Sequence, residues 1–258
     1  MPPNSPHELT IARDATALAE AAADRFVDIA RESIAARGRF TVALAGGSTP
    51  ERMYTLLAAM PRAGAVDWSR TWLLWGDERC VPWGDERSNY HMAQSALVAH
   101  VAIPAAQVRP IRTDLASPAD CAADYARTLE QVFGQPFPGP PPRCDLILLG
   151  MGDDGHTASL FPGKDTLDET KLWVTHSAPG VLPPPVDRVT FTFPTLNQAR
   201  HILFLVAGAN KAAPLRDVLE GGAGKHDRPS AAVAPVDGTL TWLVDEAAAG
   251  MLNRTKPK

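Results

Sequence analysis

No stretch of this chain approaches the roughly 20 consecutive apolar residues that a membrane-spanning helix needs, so no membrane partner is expected. Positive charge is also in short supply. With 25 Lys and Arg against 29 Asp and Glu, the formal net charge is −4, which argues against nonspecific nucleic-acid binding, a property of basic surfaces. Local basic patches remain suited to a small anionic substrate. The three cysteines, Cys80, Cys121 and Cys144, are widely spaced, form no metal-binding pattern and leave an odd thiol. That usage points to a reducing compartment, and the cytoplasm is the expected location. Met1 to Glu8 carries neither the basic region nor the apolar core of a signal peptide, so none is expected. Self-similarity is confined to Gly-Asp-Glu-Arg at 76–79 and 84–87, too short to be a structural repeat.

What the chain does have is alternation of buried-strand and helix patterns. Asp14 is a candidate N-cap for a helix over residues 14–36, with Leu18, Ala22, Phe26, Ile29 and Ser33 on one face and Gly38 as a stop. Strands are predicted at Thr41–Ala45, Thr71–Trp75, Leu146–Leu149, Val189–Phe193, Ile202–Val206 and Thr241–Val244. Ser48 with Glu51 fits a capping box for a second helix, and Pro50 sits in its first turn. Further helices are expected over Ser88–His100, from Ser117-Pro118 onward, and from Lys211 to about Leu219. The Pro/Gly-rich segment Gly134–Pro142 and the stretch Pro179–Pro185 read as surface loops, because the β/α alternation resumes after each. The expectation is a single α/β domain over 1–258, with a mainly parallel sheet covered by helices on both faces.

Three of the predicted strands empty into polar loops. In open α/β sheets the C-terminal strand ends are where ligands bind, so these loops suggest one shared site. The first is Gly46-Gly47-Ser48-Thr49-Pro50, where glycines allow close backbone approach and free N–H groups at a helix start favour an anion. The second is Gly76-Asp77-Glu78-Arg79, followed by Ser88-Asn89; surface salt bridging is the plain alternative, but the position at a strand end favours function. The third is Gly150-Met151-Gly152-Asp153-Asp154-Gly155-His156. It satisfies G-x-G-x-x-G, yet a dinucleotide is rejected: Asp153 and Asp154 would face its pyrophosphate with like charge, and Phe161-Pro162 ends any helix too soon. A histidine beside a carboxylate on such a loop is a candidate proton-transfer group. His7, His91, His100, His176, His201 and His226 lack that setting. Lys211 after one strand and Arg188 before another each read alone as a solvated side chain, but a phosphate dianion would need such partners if they converge. Asp77, Asp154 and His156 are metal-ligand types whose spacing does not demand a metal. Cys80 has no paired base, which favours a buried thiol over a nucleophile.

Together these pieces resemble the 6-phosphogluconolactonase family. The matching segments are Ala45-Gly46-Gly47-Ser48-Thr49-Pro50, Gly76-Asp77-Glu78-Arg79-Cys80-Val81-Pro82 with Ser88-Asn89, and the block from Leu149 to Pro162. Arg188-Val189-Thr190-Phe191-Thr192, Gly208-Ala209-Asn210-Lys211 and the tail Leu240–Asp245 add to them. The resemblance implies hydrolysis of 6-phospho-D-glucono-1,5-lactone to 6-phosphogluconate in the oxidative pentose phosphate pathway. It also implies a modified Rossmann-like fold shared with glucosamine-6-phosphate deaminase and ribose-5-phosphate isomerase, and a need for neither metal nor nucleotide cofactor. His156 corresponds to the family's proposed general base. Ser48, Arg79, Arg188 and Lys211 are then expected around the sugar phosphate, with Gly46, Gly47, Thr49 and Asn89 at the substrate. Ester chemistry implies that His156 deprotonates water and later protonates the ring oxygen, with Asp154 or Asp77 orienting the imidazole and glycine-loop N–H groups holding the oxyanion. Partners are expected to be the small lactone alone, on a monomer or small homo-oligomer. A deaminase on the same fold is the alternative, disfavoured by Arg79 where deaminases carry Tyr and by Ser159-Leu160-Phe161-Pro162 where they carry Asn-Glu-Pro. A noncatalytic sugar-phosphate sensor would need neither Asp154 nor His156.

Overall fold

The chain's apolar runs Phe40–Leu44, Leu146–Leu149 and Ile202–Val206 are buried along their full length, as strands covered on both faces must be. A computed structural model describes residues 7–179 and 185–253; the expected Pro179–Pro185 loop lies mostly outside the described residues, as does the segment before His7. Six strands form a parallel sheet: β1 (His7–Ala12), β2 (Phe40–Leu44), β3 (Thr71–Trp75), β5 (Leu146–Leu149), β8 (His201–Val206) and β9 (Thr239–Asp245). Their order is β1-β9-β8-β5-β2-β3, and every pairing is parallel. From β2 the chain moves outward on one side to β3, then returns to place β5 on the other side. The β2/β5 boundary is therefore the strand-order switch, the place where an open α/β sheet leaves a crevice at its C-terminal edge.

A second, antiparallel sheet of three strands, in the order β4-β7-β6, stands at that edge: β4 (Asp77–Arg79), β7 (Arg188–Phe191) and β6 (Val174–Ser177). Gly76 joins the two sheets, donating its N–H to Leu44 at 3.0 Å and accepting from Phe191 at 2.8 Å. The expected strand Val189–Phe193 thus forms outside the parallel sheet, and Phe193 opens a short helix instead. Strands β1, β4 and β6 add to the expected set, and two of them escape the sequence patterns for simple reasons. β1 is an edge strand whose Leu9 and Ile11 remain exposed, and β4 consists wholly of charged residues.

The helices are α1 (Ala15–Arg37), α2 (Ser48–Ala58), α3 (Arg62–Ala65), α4 (Asn89–Ala96), α5 (Pro118–Phe133), α6 (Phe193–Leu196) and α7 (Ala212–Leu219). Asp14 caps α1 by accepting from the N–H groups of Thr16 and Ala17, and Gly38 ends it at φ 75°, a left-handed conformation that favours glycine. Ser117 caps α5 and Ser88 caps α4. The helix expected over Ser88–His100 is shorter, because the fully buried Leu97 leaves helical geometry and only a 3₁₀ turn follows. The capping box expected at Ser48 is not formed. Gly47 is the N-cap of α2, at φ 104° and ψ 162°, and no side chain caps that helix. Gly208, at φ 103° and ψ 147°, opens the 3₁₀ turn Ala209–Lys211 that lies between β8 and α7. Both positions lie in a region that only glycine enters freely.

Candidate active site

A cavity of about 250 Å³ opens at the strand-order switch. Its floor is the ends of β2 and β5, with Gly46, Gly47, Gly150 and Gly152, and its other wall is the antiparallel sheet, which delivers Arg79 and Arg188. Three strand ends separated by as many as 105 positions in sequence, from Ala45 to Gly150, converge there.

His156 lies on this cavity with its Nδ1 2.5 Å from Asp154 Oδ1, and the same oxygen accepts the His156 backbone N–H at 3.0 Å. The ring packs against Phe161 at 4.7 Å between centroids. Burial raises the Asp154 carboxyl, but its hydrogen bond and charge interaction with His156 outweigh that and hold it below the usual carboxylate range. The loop is folded tightly around the pair. A Cβ on Gly152 would lie 2.0 Å from His156 Nδ1, so only glycine fits. Thr157 Oγ1 donates to the Gly150 carbonyl at 2.9 Å, and Ser230 Oγ to that of Gly155, also at 2.9 Å. Ala158, on the cavity wall, holds φ 47°, an uncommon backbone for a residue with a side chain.

The sequence left open which carboxylate orients the imidazole, and the geometry separates the two. Asp154 touches the ring, whereas Asp77 does not. Asp77 Oδ2 accepts from Ser159 Oγ at 2.6 Å and Oδ1 from Asn89 Nδ2 at 3.3 Å. It lines the cavity as a buried carboxylate that ties β4 to the His156 loop. Among the described residues no group of three or more His, Cys, Asp or Glu side chains gathers as a metal would require; with Asp77 so engaged, the trio Asp77, Asp154 and His156 does not assemble.

Lys211 lies on the cavity and pairs with Asp153, as does Asn210 Nδ2 at 2.9 Å. The Lys211 hydrogen bond draws the Asp153 carboxyl down. Arg188 is buried; that burial, with the neighbouring Arg79 charge second, lowers its guanidinium pKa. Arg79 donates to the Arg87 carbonyl at 2.8 Å. Asn89 Nδ2 also donates to the Asp77 carbonyl, while Oδ1 is buried without a hydrogen bond among the described residues. That oxygen faces Gly46, where an added Cβ would lie 1.9 Å away. Gly46 and Gly47 line the cavity, whereas Ser48 and Thr49 stand outside its lining at the start of α2, with Ser48 exposed. Burial pushes the Cys80 thiol up to about 12, away from the thiolate that is the reactive form, in keeping with the buried thiol expected there.

Sequence reasoning treated Glu78 as one member of a charge run, yet it is among the most buried side chains. It accepts from the backbone N–H groups of Arg79, Asn89 and Tyr90, at 2.7, 2.8 and 2.8 Å, and from Ser88 Oγ at 3.0 Å. Burial raises its pKa despite these bonds. Glu78 thereby fixes the start of α4, and with it Asn89. Arg228 was also missed: it packs on Gly155 and joins the Asp154 carbonyl, at 3.3 Å, to Asp217, at 3.0 Å. Nothing in the sequence around 228 marks it, since it is brought to the loop only by the fold.

Fold and cavity together define an α/β protein with a crevice at the switch of a parallel sheet, where a histidine–carboxylate pair stands among cationic side chains. The chain belongs to the family described as glucosamine-6-phosphate isomerases/6-phosphogluconolactonase, which matches residues 13–242. It is 39% identical over 240 residues to 6-phosphogluconolactonase of Nostoc sp., covering 93% of this chain and 96% of the relative. It is 41% identical over 220 residues to 6-phosphogluconolactonase of Rattus norvegicus, covering 84% and 82% respectively. The solved 6-phosphogluconolactonase of Trypanosoma brucei superimposes with a TM-score of 0.83 at 29% identity, over 96% of this chain and 99% of that one.

Proposed function

We propose that this chain hydrolyses 6-phospho-D-glucono-1,5-lactone to 6-phosphogluconate in the oxidative pentose phosphate pathway, with His156 as general base. The observation that carries the reading is the 2.5 Å contact between His156 Nδ1 and Asp154 on the cavity wall. With Nδ1–H donated to a carboxylate, Nε2 holds the lone pair that accepts a proton. In the proposed step a water oxygen bonds to lactone C1 while its proton passes to His156 Nε2. The tetrahedral intermediate then collapses, the C1–ring-oxygen bond breaks, and the imidazolium returns the proton to the departing oxygen. Asp154 stabilises the imidazolium between the two transfers. Lys211, Arg188 and Arg79 supply positive charge for the phosphate, and the N–H groups opening the uncapped α2 favour an anion beside Gly46 and Gly47. The role of Asp77 is to hold the His156 loop through Ser159. Three unpaired thiols suit the reducing cytoplasm proposed as its location.

The test is hydrolysis of freshly made lactone coupled to 6-phosphogluconate dehydrogenase, with EDTA present and the spontaneous rate subtracted. The expected result is a rate well above background that is lost in His156→Asn while 6-phosphogluconate still binds. Full activity in that variant removes His156 as the base. No acceleration by the unaltered protein overturns the lactonase reading and directs the assay to amino-sugar phosphates, the substrates of the deaminase alternative.

A further inference from the structure

At the opposite edge of the parallel sheet, where strands begin, lies a second cavity of about 160 Å³. Four arginines line it: Arg37 at the end of α1, Arg39 leading into β2, Arg143 before β5 and Arg200 before β8. Asp145 is the only acid on its wall among the described residues and is already committed. Its Oδ1 takes Arg37 Nε at 2.8 Å, and its Oδ2 takes the N–H and hydroxyl of Thr41, each at 2.8 Å. Asp237 meets Arg143 from the rim, where it is 88% exposed.

Part of this positive charge has a structural explanation. Cations complement the carbonyl ends of helices: Arg37 closes α1, and Arg39 donates to the Val132 carbonyl of α5 at 2.9 Å and lies over Phe133. Arg143 donates from Nη2 to both the carbonyl and the carboxylate of Asp237, which leaves Arg200 without such an explanation. The Arg200 side chain makes no hydrogen bond among the described residues and only a 3.5 Å ionic contact with Asp145. The Nε atoms of Arg143 and Arg200 are both buried without a hydrogen bond among the described residues, the latter with only its ionic contact to Asp145, which costs free energy unless a partner arrives. Burial lowers the Arg200 pKa, and the charges of Arg143 and Arg37 lower it further against the opposing charges of Asp145 and Asp237.

We propose that this cavity binds a phosphate group, held by the guanidiniums of Arg143 and Arg200 with Arg37 and Arg39 supplying further charge. A planar guanidinium fork matches phosphate oxygens in two-point contacts. The cavity is smaller than the active-site cavity, and four guanidiniums around so small a space suit a single oxyanion group. Its occupant would bridge the starts of β5 and β8 and, through Arg37 and Asp145, the start of β2. The site is independent of the lactonase reading, because its residues stand at the other edge of the sheet.

The test is calorimetric titration of inorganic phosphate into the protein and into the Arg143→Gln/Arg200→Gln variant, where binding common to both reports the lactone cleft. One further phosphate equivalent is expected on the unaltered protein, with its affinity reduced at least roughly tenfold in the variant and lactonase rate unchanged. Phosphate at ten times the Kd of that further equivalent should raise Tm by about 2–4 °C more in the unaltered protein than in the variant. Equal phosphate binding by both proteins, or none by either, overturns the site. If the double variant does not fold, Arg200→Lys keeps the charge but removes the fork: weaker binding supports the site, and unchanged binding overturns it. Glycerol phosphate titrated in parallel separates the sources. Affinity equal to that of phosphate identifies a phosphomonoester as occupant and weaker affinity the free ion, either result requiring the Arg143 and Arg200 dependence.

Discussion

His156 is held by Asp154 at two points, ring nitrogen and backbone N–H, so one carboxylate oxygen sets both the loop and the imidazole. An amide at 154 would offer a neutral partner able to stabilise the wrong tautomer. Asp154→Asn is therefore expected to lower kcat by about 10²–10⁴ while leaving the affinity for 6-phosphogluconate nearly unchanged. Steady-state kinetics with product inhibition checks both halves, and an unaltered kcat would break the assigned pairing. At this scale the sequence was partly legible. The Asp-Gly-His triplet pointed to the pair, but Asp77 and Asp154 looked equivalent, because both carboxylates follow buried strands. What separates them is three-dimensional: Ser159 and Asn89 occupy Asp77, and the turn at Gly155 brings Asp154 back to the ring.

Among the elements, β4 carries the most consequence for its size. Its three charged residues point to different tasks: Asp77 to the His156 loop, Glu78 to the start of α4, and Arg79 to the cavity. Removing the Glu78 carboxylate leaves three backbone N–H groups and a hydroxyl without their acceptor in a buried place. Glu78→Ala is expected to cost about 3 kcal/mol, a Tm loss of roughly 6–12 °C for a chain of this size. It should also weaken substrate binding, because Asn89 loses its anchor. Thermal denaturation read beside KM tests this, and a variant as stable as the unaltered protein would show that Glu78 caps nothing of importance. A run of charges reads as surface because charge is costly to bury; here the donors that make burial tolerable come from α4, ten or more positions away in sequence.

Over the whole molecule, ionised carboxylates contribute to stability in the acid range. Asp154 is held below 3.8 by its bonds to His156, which outweigh burial, and Asp153 by Lys211. A carboxyl whose folded-state pKa is depressed stabilises the fold above its unfolded value and loses that contribution as pH falls through the folded value. Glu78 works in the other direction, since burial raises it above 4.5; its favourable protonated form is complete below that value and adds nothing further. Tm is therefore expected to fall progressively once pH drops below about 3.8, with the decline reduced in Asp153→Asn. Scanning calorimetry across that range checks it, and a flat Tm down to pH 2 would contradict the assignment.

By itself the sequence determined the parallel α/β core and the three strand-end loops, because both are written locally. Continuous apolar runs become buried strands, period-3.6 stripes become helices, and glycines mark the tight exits from β2, β5 and β8. The lactonase resemblance was carried by those same loops. Tertiary structure alone decided that β4, β6 and β7 would form a second sheet. It decided that Asp154 would hold the imidazole while Asp77 held the loop, that Glu78 would be buried, and that four arginines would meet at the sheet's other edge. The physical reason is common to all four. Each depends on which donors and charges the folded chain brings to a group, and local periodicity has no term for a partner outside its own repeat.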